Sequence, residues 1–129
     1  MAEQHNILTL AGRTQLLNYI ASSGAISSAF GQYIAIGNLP VVVVYPAQTT
    51  IVGEYYRNAP SSVFSIGSQV DLSMYMGPSQ AVGTMTNAGI FGGNASATLT
   101  SGTLLTHTLL SYVKSNTVPV TLDYLLALE

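Results

Sequence analysis

Few side chains in this sequence can do chemistry. Two histidines (His5, His107), five carboxylates and three cations (Arg13, Arg57, Lys114) make up nearly the whole reactive inventory, and there is no cysteine. A zinc site takes three or four ligands at suitable spacing, and no H-x-x-x-H pair is present. His107 stands in a run of Leu and Thr and reads as a packing or hydrogen-bonding residue. Nucleophilic catalysis needs a Ser or Thr activated by a base, and the G-x-S-x-G elbow that presents such a serine is missing. Carboxylate-pair hydrolysis would have to use Glu54, Asp71 and Asp123. Glu54 has Arg57 three residues on, an ion-pair spacing, and the two aspartates fall on the polar faces of alternating segments. Gly89, Gly92 and Gly93 match neither G-x-G-x-x-G nor G-x-x-x-x-G-K, so no phosphate loop is expected. The sequence therefore predicts no enzyme, no cofactor and no metal.

The elements that would carry these residues are mostly short strands. "TLAGRTQLLNYIASSG" predicts the one helix, with Thr9 as N-cap, Leu10, Leu16, Leu17 and Ile20 at helical spacing, and Gly24 closing it. Val41, Val42, Val43 and Val44 followed by Tyr45, between prolines, predict a short strand buried on both faces. "TTIVGEYYR" predicts a helical turn or two that places Glu54 beside Arg57. Val70, Leu72, Met74 and Met76 alternate with polar residues as in a half-buried strand. Val118, Val120, Leu122, Tyr124, Leu126 and Leu128 share one face of the strongest period-two stretch. Between them, Ser101-Gly102 predicts a hairpin turn leading into a mixed Leu/Thr strand. Ile90 and Phe91, flanked by Gly89 and Gly92, predict a short strand that plugs the core, the glycines allowing close backbone approach. With no repeat or linker, residues 1–129 predict a single mainly β domain. Its expected form is an antiparallel, jelly-roll-like β-sandwich with a short N-terminal helix.

Charge is the most informative quantity. Charged residues make up 6% of the chain, against roughly 25% in ordinary soluble proteins. None lies between Arg13 and Glu54 or between Asp71 and Lys114. An isolated soluble domain keeps charge on its surface, whereas the core of a protein interface is depleted of it. The neutral stretches thus predict surface that meets other protein. Three cations cannot supply the phosphate neutralisation that drives nucleic-acid binding. Leu16 to Ile36 is too often interrupted by Ser, Gly, Asn and Gln to span a membrane. "MAEQHNILTL" lacks the basic start of a secretory signal, so synthesis in the cytoplasm is expected.

The order of several motifs adds a resemblance. "LTLAGRTQLL", "YIAIGN", "PAQTTIVGEYYR", "AVGTMTNAGIFGG" and "SGTLL", with Lys114 ahead of a final alternating strand, follow one another along nearly the whole chain. This succession resembles a family of small virion proteins of tailed bacteriophages, the tail-fibre or tail-collar-like proteins. Asn87 stands where that family's pattern has an acidic residue, and Thr106 and His107 stand where it has a basic one. The resemblance implies a non-enzymatic, multimeric protein of the virion, in the tail or at fibre attachment, and suggests a trimer. The expected partners are copies of itself and other phage virion proteins, with neither nucleic acid nor a membrane span. Val41–Val44 and the strand holding Leu105, His107 and Leu109 are the candidate oligomer contacts. Glu54 and Arg57 are the candidate structural ion pair, and Gly89, Ile90, Phe91 and Gly92 the structural strand and turn. A capsid decoration protein that cements the head shell fits the same composition. A carbohydrate-binding module would draw on Tyr33, Tyr45, Tyr55, Tyr56 and Tyr75, without tryptophan or an acidic cluster for calcium.

Overall fold

The computed structural model describes residues 6–14, 33–66 and 69–127. Among these residues eight strands follow one another: β1 (Asn6–Leu8), β2 (Tyr33–Gly37), β3 (Glu54–Asn58), β4 (Ser62–Ile66), β5 (Gln69–Met76), β6 (Gly83–Gly92), β7 (Thr103–Lys114) and β8 (Val120–Ala127). They form a five-stranded sheet in the order β1-β7-β6-β2-β3 and a three-stranded sheet in the order β4-β5-β8. Every pairing is antiparallel.

The alternation legible in β5 and β8 is what builds the core. Leu72, Met74 and Met76 point inward and are buried, and in β8 Tyr124 is opposite Leu72 and Leu122 opposite Met74. From the larger sheet come Ile34, Ile36, Met85, Ala88, Ile90 and Leu105, which pack against them in one apolar cluster. Two sheets face to face around such a cluster make a sandwich. Each fully buried side chain of this size contributes about 1.5–3 kcal/mol relative to exposure. The inter-sheet cluster is therefore the main source of stability.

The larger sheet is buried on both faces, which explains why β6 and β7 lack clean alternation. On its outer side Ala35, Phe91 and Leu104 pack with Ile51 from the segment linking β2 to β3. Thr9 tethers the N-terminal segment to the same side: its hydroxyl donates to the carbonyl oxygens of Leu104 and Leu105 and accepts from the N–H of Gly12 at 2.9 Å. That last bond is the N-cap predicted for Thr9, and residues 10–14 are helical. Gly12 is required there, because a Cβ would run into the Leu105 carbonyl. The remainder of the predicted helix, to Gly24, lies outside the described residues.

Three expectations on local structure are corrected. Val41–Val44 form no strand and lie largely at the surface, Val42 being 88% exposed. A strand needs a partner for its backbone groups, and this segment, between Pro40 and Pro46, pairs with none of the described strands. The helical turn expected around Glu54 is instead strand β3, paired with β2. The hairpins β2–β3, β4–β5 and β6–β7 each stay within one sheet. Ile90 and Phe91 belong to a ten-residue strand rather than a short one, and they face opposite sides of it, into the two apolar clusters.

Candidate functional site

Glu54 and Arg57 form the most elaborate polar cluster. On a regular strand, residues three apart face opposite ways. A bulge shifts the β2–β3 register between Ile36 and Gly37, so that Glu54 lies opposite Gly37 and Arg57 opposite Ala35, on one face. Arg57 then grips the carboxylate with two nitrogens, Nε to Oε2 at 2.6 Å and Nη2 to Oε1 at 3.1 Å. Both side chains are withdrawn from water. The third nitrogen, Nη1, donates to the carbonyls of Ser96 (3.1 Å) and Ser101 (3.0 Å), and the guanidinium lies 4.4 Å from the Phe91 ring centre. Glu54 Oε1 also accepts from the N–H of Thr100, a non-glycine residue held at φ 68°. The pair thus fastens the β6–β7 hairpin loop to β3 and supports its strained residue. Each guanidinium nitrogen has work in the fold, which marks the cluster as architecture.

A second cluster sits on the same side of the sheet. Asn87 meets the backbone of Val52 as a strand would, its Oδ1 accepting from the Val52 N–H and its Nδ2 donating to the Val52 carbonyl, both at 3.0 Å. That geometry fixes which amide atom is oxygen. His107 Nε2 lies 2.9 Å from Oδ1, so it carries the ring proton and donates. Nδ1 is buried without a partner among the described residues, and burial pushes the histidine below its ordinary pKa. The neutral ring is therefore the native form. Close approach of the strands here needs Gly89, opposite His107, because a Cβ would meet the Thr106 carbonyl.

Lys114 is likewise absorbed into the structure. Its ammonium donates to the carbonyls of Gly77 (2.8 Å), Pro78 (3.0 Å) and Ser115 (3.3 Å), tying the β5–β6 turn to the end of β7. Tyr124, deep between the sheets, accepts from the Thr106 hydroxyl at 2.6 Å, and burial raises its pKa. Asp71 and Asp123 stand on the outer face of the smaller sheet, where the Ser73 hydroxyl donates to Asp123 at 2.6 Å. Among the described residues no three of His, Asp and Glu are grouped to hold a metal ion. No helix among them is long and apolar enough to cross a membrane. His5 lies outside the described residues.

The structure separates the candidate oligomer contacts. Val42 and Val43 are exposed, Val41, Val44 and Leu109 partly so. Leu105 and His107 are corrected: both are wholly buried within the chain, Leu105 in the inter-sheet core and His107 against Asn87, so neither can touch another molecule. The tyrosines do not make one platform. Tyr33, Tyr55 and Tyr56 pack against the apolar clusters, leaving Tyr45 in the β2–β3 segment and Tyr75 on the opposite sheet. Asn87 was the site residue hardest to see as such; its signal is an amide in the middle of an apolar strand, which must find partners.

No family model, no curated protein and no solved structure matches this chain.

Proposed function

We propose that the chain is a non-enzymatic structural component of a tailed-phage virion, a homo-oligomer placed in the tail or at the attachment of a fibre. One observation carries this reading. Glu54 with Arg57, Asn87 with His107, and Lys114 are all engaged inside the fold, while large apolar side chains such as Val42, Phe64 and Val113 are left at the surface. A surface poor in charge and dotted with apolar groups suits a protein whose neighbours are other proteins. The resemblance in motif order supplies the virion context and suggests three-fold symmetry. Of Asn87, Thr106 and His107, which stand where that family's pattern carries charge, Asn87 and His107 are hydrogen-bonded to each other.

The test is to label a tagged copy of the chain with gold on intact particles and locate it by electron microscopy. Label at the tail or fibre base is expected. Label spread over the head shell would instead assign a decoration role, and unlabelled particles would overturn the structural reading.

A further inference from the structure

The distribution of exposed charge points to a specific contact between copies. Among the described residues Arg57 and Lys114 are buried and Glu54 is paired, leaving Arg13, Asp71 and Asp123. Arg13 is exposed on the helical turn that covers the larger sheet. Thr9 and Gly12 occupy the buried side of that turn, and Leu10, three residues before Arg13, is exposed beside it. The N–H of Leu10 bonds the Pro46 carbonyl at 2.7 Å, which brings the turn against the segment carrying Val42, Val43 and Tyr45. One outer face of the sandwich is thus an apolar surface bearing a single cation.

The opposite outer face has the reverse character. Phe64, Asp71 and Leu125 form one row across β4, β5 and β8, and Ser73 with Asp123 form the next. Phe64 is 60% and Leu125 51% exposed. Asp71 and Asp123 are therefore diagonal neighbours of like charge on an apolar sheet face. Asp71 is half-buried, its Oδ1 having no hydrogen-bond partner among the described residues, and Asp123 is exposed. No cation of the same chain serves these carboxylates among the described residues.

We propose that these two faces are complementary and that the oligomer forms by a head-to-tail contact, the Arg13 face of one copy seated on the Asp71/Asp123 face of the next. This rests on the homo-oligomer reading above. A contact between unlike faces is heterologous: it closes into a ring where the rotation between copies allows and otherwise leads to an open stack, to which opposite faces of one sandwich lend themselves. Arginine and tyrosine in an otherwise uncharged apolar patch match the composition of interface cores.

Charge exchange tests the proposal on the full chain. Oligomer size is followed against concentration by light scattering for wild type, Arg13→Asp, the pair Asp71→Lys with Asp123→Lys, and the triple variant combining all three. Circular dichroism establishes that each variant is folded. Wild type is expected to associate, the first two variants to dissociate at concentrations at least about tenfold higher than wild type does, through like-charge juxtaposition, and the triple variant to regain association. Arg13→Asp associating like wild type, or a triple variant that stays dissociated, would overturn the contact while leaving the homo-oligomer reading intact. A wild-type chain that is monomeric at every concentration would overturn both.

Discussion

Two polar clusters lie on the same side of the five-stranded sheet and do the same job by different means. Arg57 with Glu54 pins the β6–β7 loop through an ionised pair in which all three guanidinium nitrogens are used. Asn87 with His107 pins the β2–β3 segment through neutral groups and leaves one ring nitrogen unpartnered among the described residues. The difference reflects electrostatics. A buried charge left unpaired is far more costly than a buried neutral acceptor left unpaired, so only the neutral cluster tolerates an incomplete set of bonds.

Breaking the charged cluster should have the largest effect. Arg57→Met strands Glu54 away from water and frees the Ser96 and Ser101 carbonyls, and a loss of about 3–5 kcal/mol is expected from urea unfolding. Adding Glu54→Gln should recover part of that loss, since the stranded charge is then gone. A single variant no less stable than wild type would show the pair to be dispensable. Asn87→Ala removes both bonds to Val52 and the acceptor of His107, for an expected loss of about 2–3 kcal/mol in the same measurement.

The neutral cluster also predicts a pH dependence. The native pKa of His107 is lowered, so below the ordinary histidine value of about 6.5 the unfolded chain binds more protons than the folded one. Stability is then fully present above that value and declines as pH falls through it, by at most about 1.4 kcal/mol per pH unit for one proton. Comparing urea midpoints at neutral and mildly acidic pH should reveal this slope in wild type and its loss in His107→Gln. An equal slope in both proteins would mean that the ring is protonated in the fold. At the small end, Val42→Thr touches neither cluster and should leave monomer stability within about 0.5 kcal/mol.

The parts of the fold that follow a simple period were legible in the sequence. Val70, Leu72, Met74 and Met76 of β5 and Val120, Leu122 and Tyr124 of β8 pack in the inter-sheet cluster, and the Thr9 cap obeyed local chemistry alone. The Glu54–Arg57 pair was found for an incomplete reason: the three-residue spacing suggested a helix, whereas a bulge in β3 brings the two onto one face. Bulges depend on the partner strand and leave little trace in one sequence. The valine run shows the converse, that β-branched residues favour a strand only where another strand offers hydrogen bonds. His107 reads as a packing or hydrogen-bonding residue from its setting alone, as it proves to be, but its partner did not show: Asn87 is twenty residues away and aligned only by the β6–β7 register, which places it opposite Leu109 while His107 is opposite Gly89.

The most direct test of an assembly role is to count this chain in purified particles, relative to the major shell protein, by quantitative mass spectrometry. A small, fixed copy number that is a multiple of three is expected for a trimeric tail or fibre-attachment component. Absence of the chain from particles would contradict the account.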